Sequence, residues 1–144
     1  MWIPKIKKEN FYKRFLVILA NRQKGKFFTI YLGNFEDQGE EIFDEDVPQK
    51  VKNDNGRWGK VERHIRDHLL HHFKHVGASV MRYVISKKIK QLDGIFIASH
   101  REYLHEIKEY LPSKLKHKVI GELVADVDTP VGDMTGKVIA KFNL

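Results

Sequence analysis

Apolar positions along the chain follow two different periods, and the switch between them organises it. Phe15 to Ala20 is a continuous apolar run, Gln23-Lys24-Gly25-Lys26 is a turn signal, and Phe27 to Leu32 is rich in aromatic and β-branched residues. This predicts two strands joined by a tight turn. A third strand is expected at about Glu40 to Val47, after Gly33 and Gly39, which makes an antiparallel meander. From Pro48 to Gly59 the stretch PQKVKNDNGRWG has no apolar periodicity and two glycines, and reads as an exposed loop.

The period then changes. Ile65, Leu69, Phe73, Val76, Val80 and Val84 recur at steps of three and four, which predicts one long helix from about Trp58 or Lys60 to about Lys88. Counting ~100° per residue from His64, this stripe lies at roughly 100–200°, while His64, His68, His71 and His75 fall within about 40° of zero and His72 near 80°. Leu92 to Ser99 is a nearly continuous apolar run, expected as a strand buried on both faces. Tyr103, Leu104, Ile107 and Leu111 have helical spacing before Pro112, and Val119 to Val127 alternates as a strand. Gly132 and Gly136 weaken a helix in the tail 129–144, which stays open between helix and strand, and residues 1–12 form an N-terminal arm. The element order β-β-β-α-β-α-β predicts an α/β fold: an RNase H-like mixed five-stranded sheet with packed helices.

A length of 144 residues suits one domain spanning 1–144, and the absence of Cys removes disulfides and thiolate metal ligands. Apolar runs of a few residues are too short to span a membrane, and the N-terminus has no apolar signal core, so the expected location is the cytoplasm. Charge changes the picture more. The net +7 is unevenly spread, because Glu36 to Asp46 holds seven carboxylates and no Lys or Arg. Outside that turn, 26 basic residues face the 12 acidic ones that remain of 19, a balance of +14 that favours polyanions such as RNA or the ribosome.

DGIFIASHREYLHEIKEYLPSKLKHKVIGELVADV resembles the second half of the middle domain of archaeal/eukaryotic-type class-I peptide chain release factors, and is closer still to their bacterial relatives. The residues that carry the likeness are a strand of the type Asp-x-apolar-apolar-apolar-Ala, a helix ending in Leu-Pro, then Lys-Val-Ile-Gly and a strand ending in Asp. The first half agrees, with a meander, an acidic turn, a glycine-bearing loop and a long His- and Arg-rich helix, so the resemblance covers roughly Lys13 to Asp128. In those factors the loop before the long helix carries Gly-Gly-Gln, which helps water attack peptidyl-tRNA. Here Asn53-Asp54-Asn55-Gly56-Arg57-Trp58-Gly59 stands in its place without the glutamine. The resemblance therefore implies a non-hydrolytic release-factor-like domain that binds ribosome or RNA. Two other readings stay open: a peptidyl-tRNA-hydrolysing termination or rescue factor with a divergent loop, and a protein-interaction domain with no nucleic-acid role.

Candidate chemistry sits mainly around that loop. Lys50, Lys52, Asn55, Gly56, Arg57, Trp58, Gly59, Lys60, Arg63 and Arg66 surround an aromatic with cations at a helix start, a set suited to stacking a base and meeting phosphate. A staple role for Trp58 is the alternative. His64, His68, His71, His72 and His75 read first as the solvated outer face of the helix. An RNA-contacting surface, or a Zn²⁺ or Ni²⁺ site built from i,i+4 pairs, are the alternatives. The acidic turn 36–46 reads as a solvated hairpin tip or as a dock for a basic protein partner. RNase H-type chemistry needs about four carboxylates on two Mg²⁺ ions, one of them from the first strand. FLVILANR has neither Asp nor Glu, while Asp93, Asp126 and Asp128 sit at strand ends as caps, so no catalytic residue and no cofactor are expected.

Overall fold

The computed structural model describes residues 5–45 and 58–144, with side chains in the long helix described from Ile65 onward. Strands β1 (Phe15–Ala20) and β2 (Lys24–Tyr31) form the expected hairpin, with Phe15 opposite Ile30 and Ala20 opposite Gly25. The Asn21 side-chain oxygen accepts the backbone N–H groups of Gln23 and Lys24, which fixes the turn. The expected third strand is β4 (Glu40–Phe43), and an additional two-residue strand, β3 (Asn34–Phe35), precedes it; both pair with β2. Between them Gly39 adopts φ +75°, and a Cβ there would lie 3.0 Å from the carbonyl carbon of Phe27, so the chain can break and resume pairing only at glycine.

Helix α1 (Trp58–Ser86) has 29 residues, about 43 Å of helix. It returns the chain to β5 (Gly94–Ser99), which pairs parallel with β1. Two short helices, α2 (Leu104–Glu109) and α3 (Ser113–Lys116), lead to β6 (Val119–Val124), parallel to β5. The sheet order is β3-β2-β1-β5-β6 with β4 also beside β2, an RNase H-like mixed sheet of six strands where five were expected.

Both faces of the sheet are covered. Phe15, Val17 and Leu19 of β1 point to one core with Phe28, Phe96 and Leu123, and Leu16, Ile18 and Ala20 point to the other with Phe73, Val76, Val80 and Tyr83 of α1. This explains why β1 and β5 are unbroken apolar runs rather than alternating ones. On α1 the deepest C-terminal side chain is Tyr83, while Val84 is only partly buried.

The tail resolves as α4 (Val131–Lys141), with Val131, Met134, Thr135, Val138 and Ile139 buried at i, i+3, i+4, i+7 and i+8. Each helical glycine costs about 1 kcal/mol. Burying an apolar side chain returns about 1.5–3 kcal/mol, and α4 buries four of them, so packing outweighs Gly132 and Gly136. The arm closes this layer. Ile6 is buried, and the Lys7 N–H and the Asn10 amide both donate to the Leu144 carbonyl, at 2.7 and 2.8 Å. On the other layer α1 crosses the α2–α3 junction very closely: a Cβ on Gly77 would overlap the Tyr110 carbonyl oxygen and lie 3.2 Å from its carbon.

Candidate functional site

The chain enters the loop that follows β4 from a fixed point. Asp44 donates its backbone N–H to the Gln23 carbonyl at 2.7 Å, and its Oδ2 accepts from His72 Nδ1 at 2.6 Å and from His75 Nδ1 at 2.8 Å. His72 is fully buried, with Nε2 3.3 Å from the Lys24 carbonyl oxygen, whereas the His75 side chain is 35% exposed. Partial burial pushes the Asp44 carboxyl up, but the hydrogen bonds from His72 and His75 outweigh it and hold the group below the ordinary carboxylate range. The end of β4 is thus anchored to the middle of α1.

This corrects the reading of the histidines as a solvated face. His72 lies at the edge of the apolar arc, and the end of β4 covers it and half-covers His75, supplying the one carboxylate both rings need. His71 is exposed and His68 half-buried, while the His64 side chain lies outside the described residues. Both ring nitrogens of His72 face acceptors inside the protein. Among the described residues no three His, Asp or Glu side chains are arranged to hold a metal ion.

Of the nominated RNA-facing residues, Lys50, Lys52, Asn55, Gly56 and Arg57 lie outside the described residues, as do the side chains of Trp58, Gly59, Lys60 and Arg63, which open α1. Arg66 is exposed. Among the described residues of α1, Ile65 and His68 are half-buried, and Leu69 is the first that packs against the core.

The acidic turn is tethered to the protein's own cations and hydroxyls. Arg14 donates to Glu36 at 2.7 Å, Thr29 also donates to Glu36, and Lys87 pairs with Asp37 at 3.1 Å. Asp37 is raised by partial burial but lowered further by the hydrogen bonds from Lys87 and from the Gly39 N–H, so it too sits below the ordinary range. The strand-end carboxylates do not converge. Asp93 precedes β5 and accepts from the Arg14 N–H at 2.9 Å, whereas Asp126 follows β6 and accepts from the Asp128 N–H at 2.8 Å. Since β5 and β6 are parallel, these groups lie at opposite ends of the sheet, as caps rather than a metal site.

The model of bacterial archaeo-eukaryotic release factor family 10 matches residues 10–143. The chain belongs to this family. Membership in a release-factor family gives this family-10 protein a translation-related role. Its fold is shared with an archaeal translation termination factor, aRF1, at TM-score 0.62 and 17% identity, over 82% of this chain and 32% of that one. A second archaeal protein matches at TM-score 0.56 and 17% identity, over 88% of this chain and 33% of that one. Archaeoglobus fulgidus Pelota matches at TM-score 0.47 and 12% identity, over 95% and 33%. The family-10 chain spans about a third of the length of each of these structures. No curated protein matches it.

Proposed function

We propose that this family-10 protein is a non-hydrolytic release-factor-like domain that binds the ribosome or structured RNA through the start of α1 and the residues before it, and that it acts in the cytoplasm. The observation that carries the reading is the cationic, Trp-bearing sequence at and just before the start of α1, in a member of a release-factor family. A helix N-terminus adds partial positive charge to Lys60, Arg63 and Arg66, and Trp58 offers a surface for a base. The sequence Asn53 to Gly59 lacks the glutamine of Gly-Gly-Gln, the group that helps water attack in the factors it resembles, which favours binding over hydrolysis.

The test replaces Arg57 and Trp58 together with Ala and measures binding to ribosomes at two salt concentrations. The expected result is weaker binding by tenfold or more, with a shallower salt dependence because one phosphate contact is lost. Unchanged affinity and slope would remove the loop from the interface. In parallel, release of peptide from peptidyl-tRNA on ribosomes is expected to stay at the background rate; rapid release would replace binding by catalysis as the function.

A further inference from the structure

The amino-terminal ends of β1, β5 and β6 lie along one edge of the sheet, because these strands are parallel. The C-terminal end of α1 leads to that edge, and the end of α4 is held there by the Lys7 and Asn10 bonds to Leu144. This pole is opposite the end where β4 hands over to the loop. Residues 5–14 and 87–93 meet at it through reciprocal bonds, Asp93 N–H to the Arg14 carbonyl at 2.8 Å and Arg14 N–H to the Asp93 carboxylate at 2.9 Å. Together these two stretches carry eight Lys and Arg against Glu9 and Asp93, and of the eight Arg14 and Lys87 pair with Glu36 and Asp37.

Between them lies a cleft of about 390 Å³ lined by Tyr12, Lys13, Arg14, Tyr31, Gln91 and Asp93. Its floor is fixed, since the Arg14 guanidinium stacks 4.3 Å over the Tyr31 ring and binds Glu36. Its rim is not. The Tyr12 side chain is 76% exposed, with its ring braced edge-on by Phe11 at 5.1 Å and 88°. An exposed ring has no packing reason to be held in one orientation, and here it shares the cleft with Lys13, on stretches whose Lys8, Lys88 and Lys90 are also exposed.

We infer that this pole is a second RNA-binding surface, taking a single strand with one base stacked on Tyr12 and the neighbouring phosphates against Lys8, Lys13 and Lys90. An aromatic platform with flanking cations is the recurring chemistry of single-strand binding, and a positive pole of this density favours a polyanion over an apolar partner. The inference rests on the RNA-binding reading above but concerns the opposite end of the molecule.

The experiment uses the full chain and a labelled, unstructured 12-nucleotide pyrimidine RNA, read by fluorescence anisotropy at two salt concentrations. Tyr12→Ala is expected to weaken binding roughly tenfold with little change in salt slope, while Tyr12→Phe stays within about twofold. Lys13→Ala with Lys90→Ala is expected to lower the slope of log affinity against log salt by about 1.4. Both sites are exposed, and unchanged thermal midpoints will show that the variants are folded. If RNA binds and all three variants match the wild type, the pole is overturned while the loop reading survives. Equal losses in Tyr12→Ala and Tyr12→Phe overturn stacking as its basis. If the wild type does not bind this RNA even at low salt, the pole is overturned while the loop reading, which concerns ribosomes and structured RNA, is decided by its own ribosome assay; loss in Tyr12→Ala beside an unchanged Arg57→Ala, Trp58→Ala double variant supports the pole as a separate surface.

Discussion

Replacing Asp44 with alanine is expected to destabilise the protein by about 3 kcal/mol or more, read as a lower urea midpoint. Two hydrogen bonds to a carboxylate are lost, each worth about 1.5–3 kcal/mol, and the fully buried His72 ring is left facing nothing at Nδ1. Asp44→Asn keeps an oxygen that can take the place of Oδ2 and accept from both rings, so it loses the charge that strengthens the bonds rather than the bonds themselves and should cost roughly half as much. A loss below about 1 kcal/mol in the alanine variant would mean that the clamp adds little to the fold.

The same group gives a pH dependence whose sign is fixed. Because the folded carboxyl titrates below its unfolded value, its stabilisation is fully present above that value, about pH 4, and is lost as pH falls through the lowered folded one. Asp37 behaves in the same direction. Acid unfolding of Asp44→Ala should therefore show a reduced, not abolished, loss of stability below about pH 4.

Gly77→Ala is expected to destabilise by about 2 kcal/mol, a fall of roughly 6 °C in thermal midpoint for a chain of this size. Helix propensity argues the other way: alanine inside a helix gains about 1 kcal/mol over glycine. At Gly77 the new methyl would overlap the Tyr110 carbonyl oxygen and lie 3.5 Å from the Leu111 Cα. These are backbone atoms at a junction held by Leu111 and Leu115 in the core, so they cannot turn aside as a flexible side chain would. A raised midpoint would show that the α1 crossing is looser than this contact requires.

Local pattern made much of the architecture readable. β1, β2, α1 and β5 were expected within a few residues of their observed limits, because each is set by a run or stripe of its own side chains. What failed depended on distant partners or on backbone. The additional strand β3 is set apart from β4 by the φ of Gly39, and α4 forms because a sheet face needs covering, which glycine content alone cannot reveal. The histidines show the same limit. A helical wheel gives the angle of His72 but not what lies against it, and its partner Asp44 is 28 positions earlier. The nearest available signal was its angle of about 80°, adjoining the apolar arc rather than opposite it. The loop residues Lys50 to Arg57 were legible only as composition, a cluster of cations beside a tryptophan.

The central parallel pairing has a kinetic consequence. β1 and β2 meet across a turn, but β1 and β5 join Phe15 to Gly94, with all of α1 between them. Closing so long a segment costs chain entropy before any contact repays it, whereas the hairpin and the helix can form locally. Conservative truncations in the β1–β2 hairpin should therefore slow refolding. Truncations at the β5–β6 contact, such as Ile97→Val, should mainly speed unfolding, which would place the assembly of the sheet's second half after the rate-limiting step.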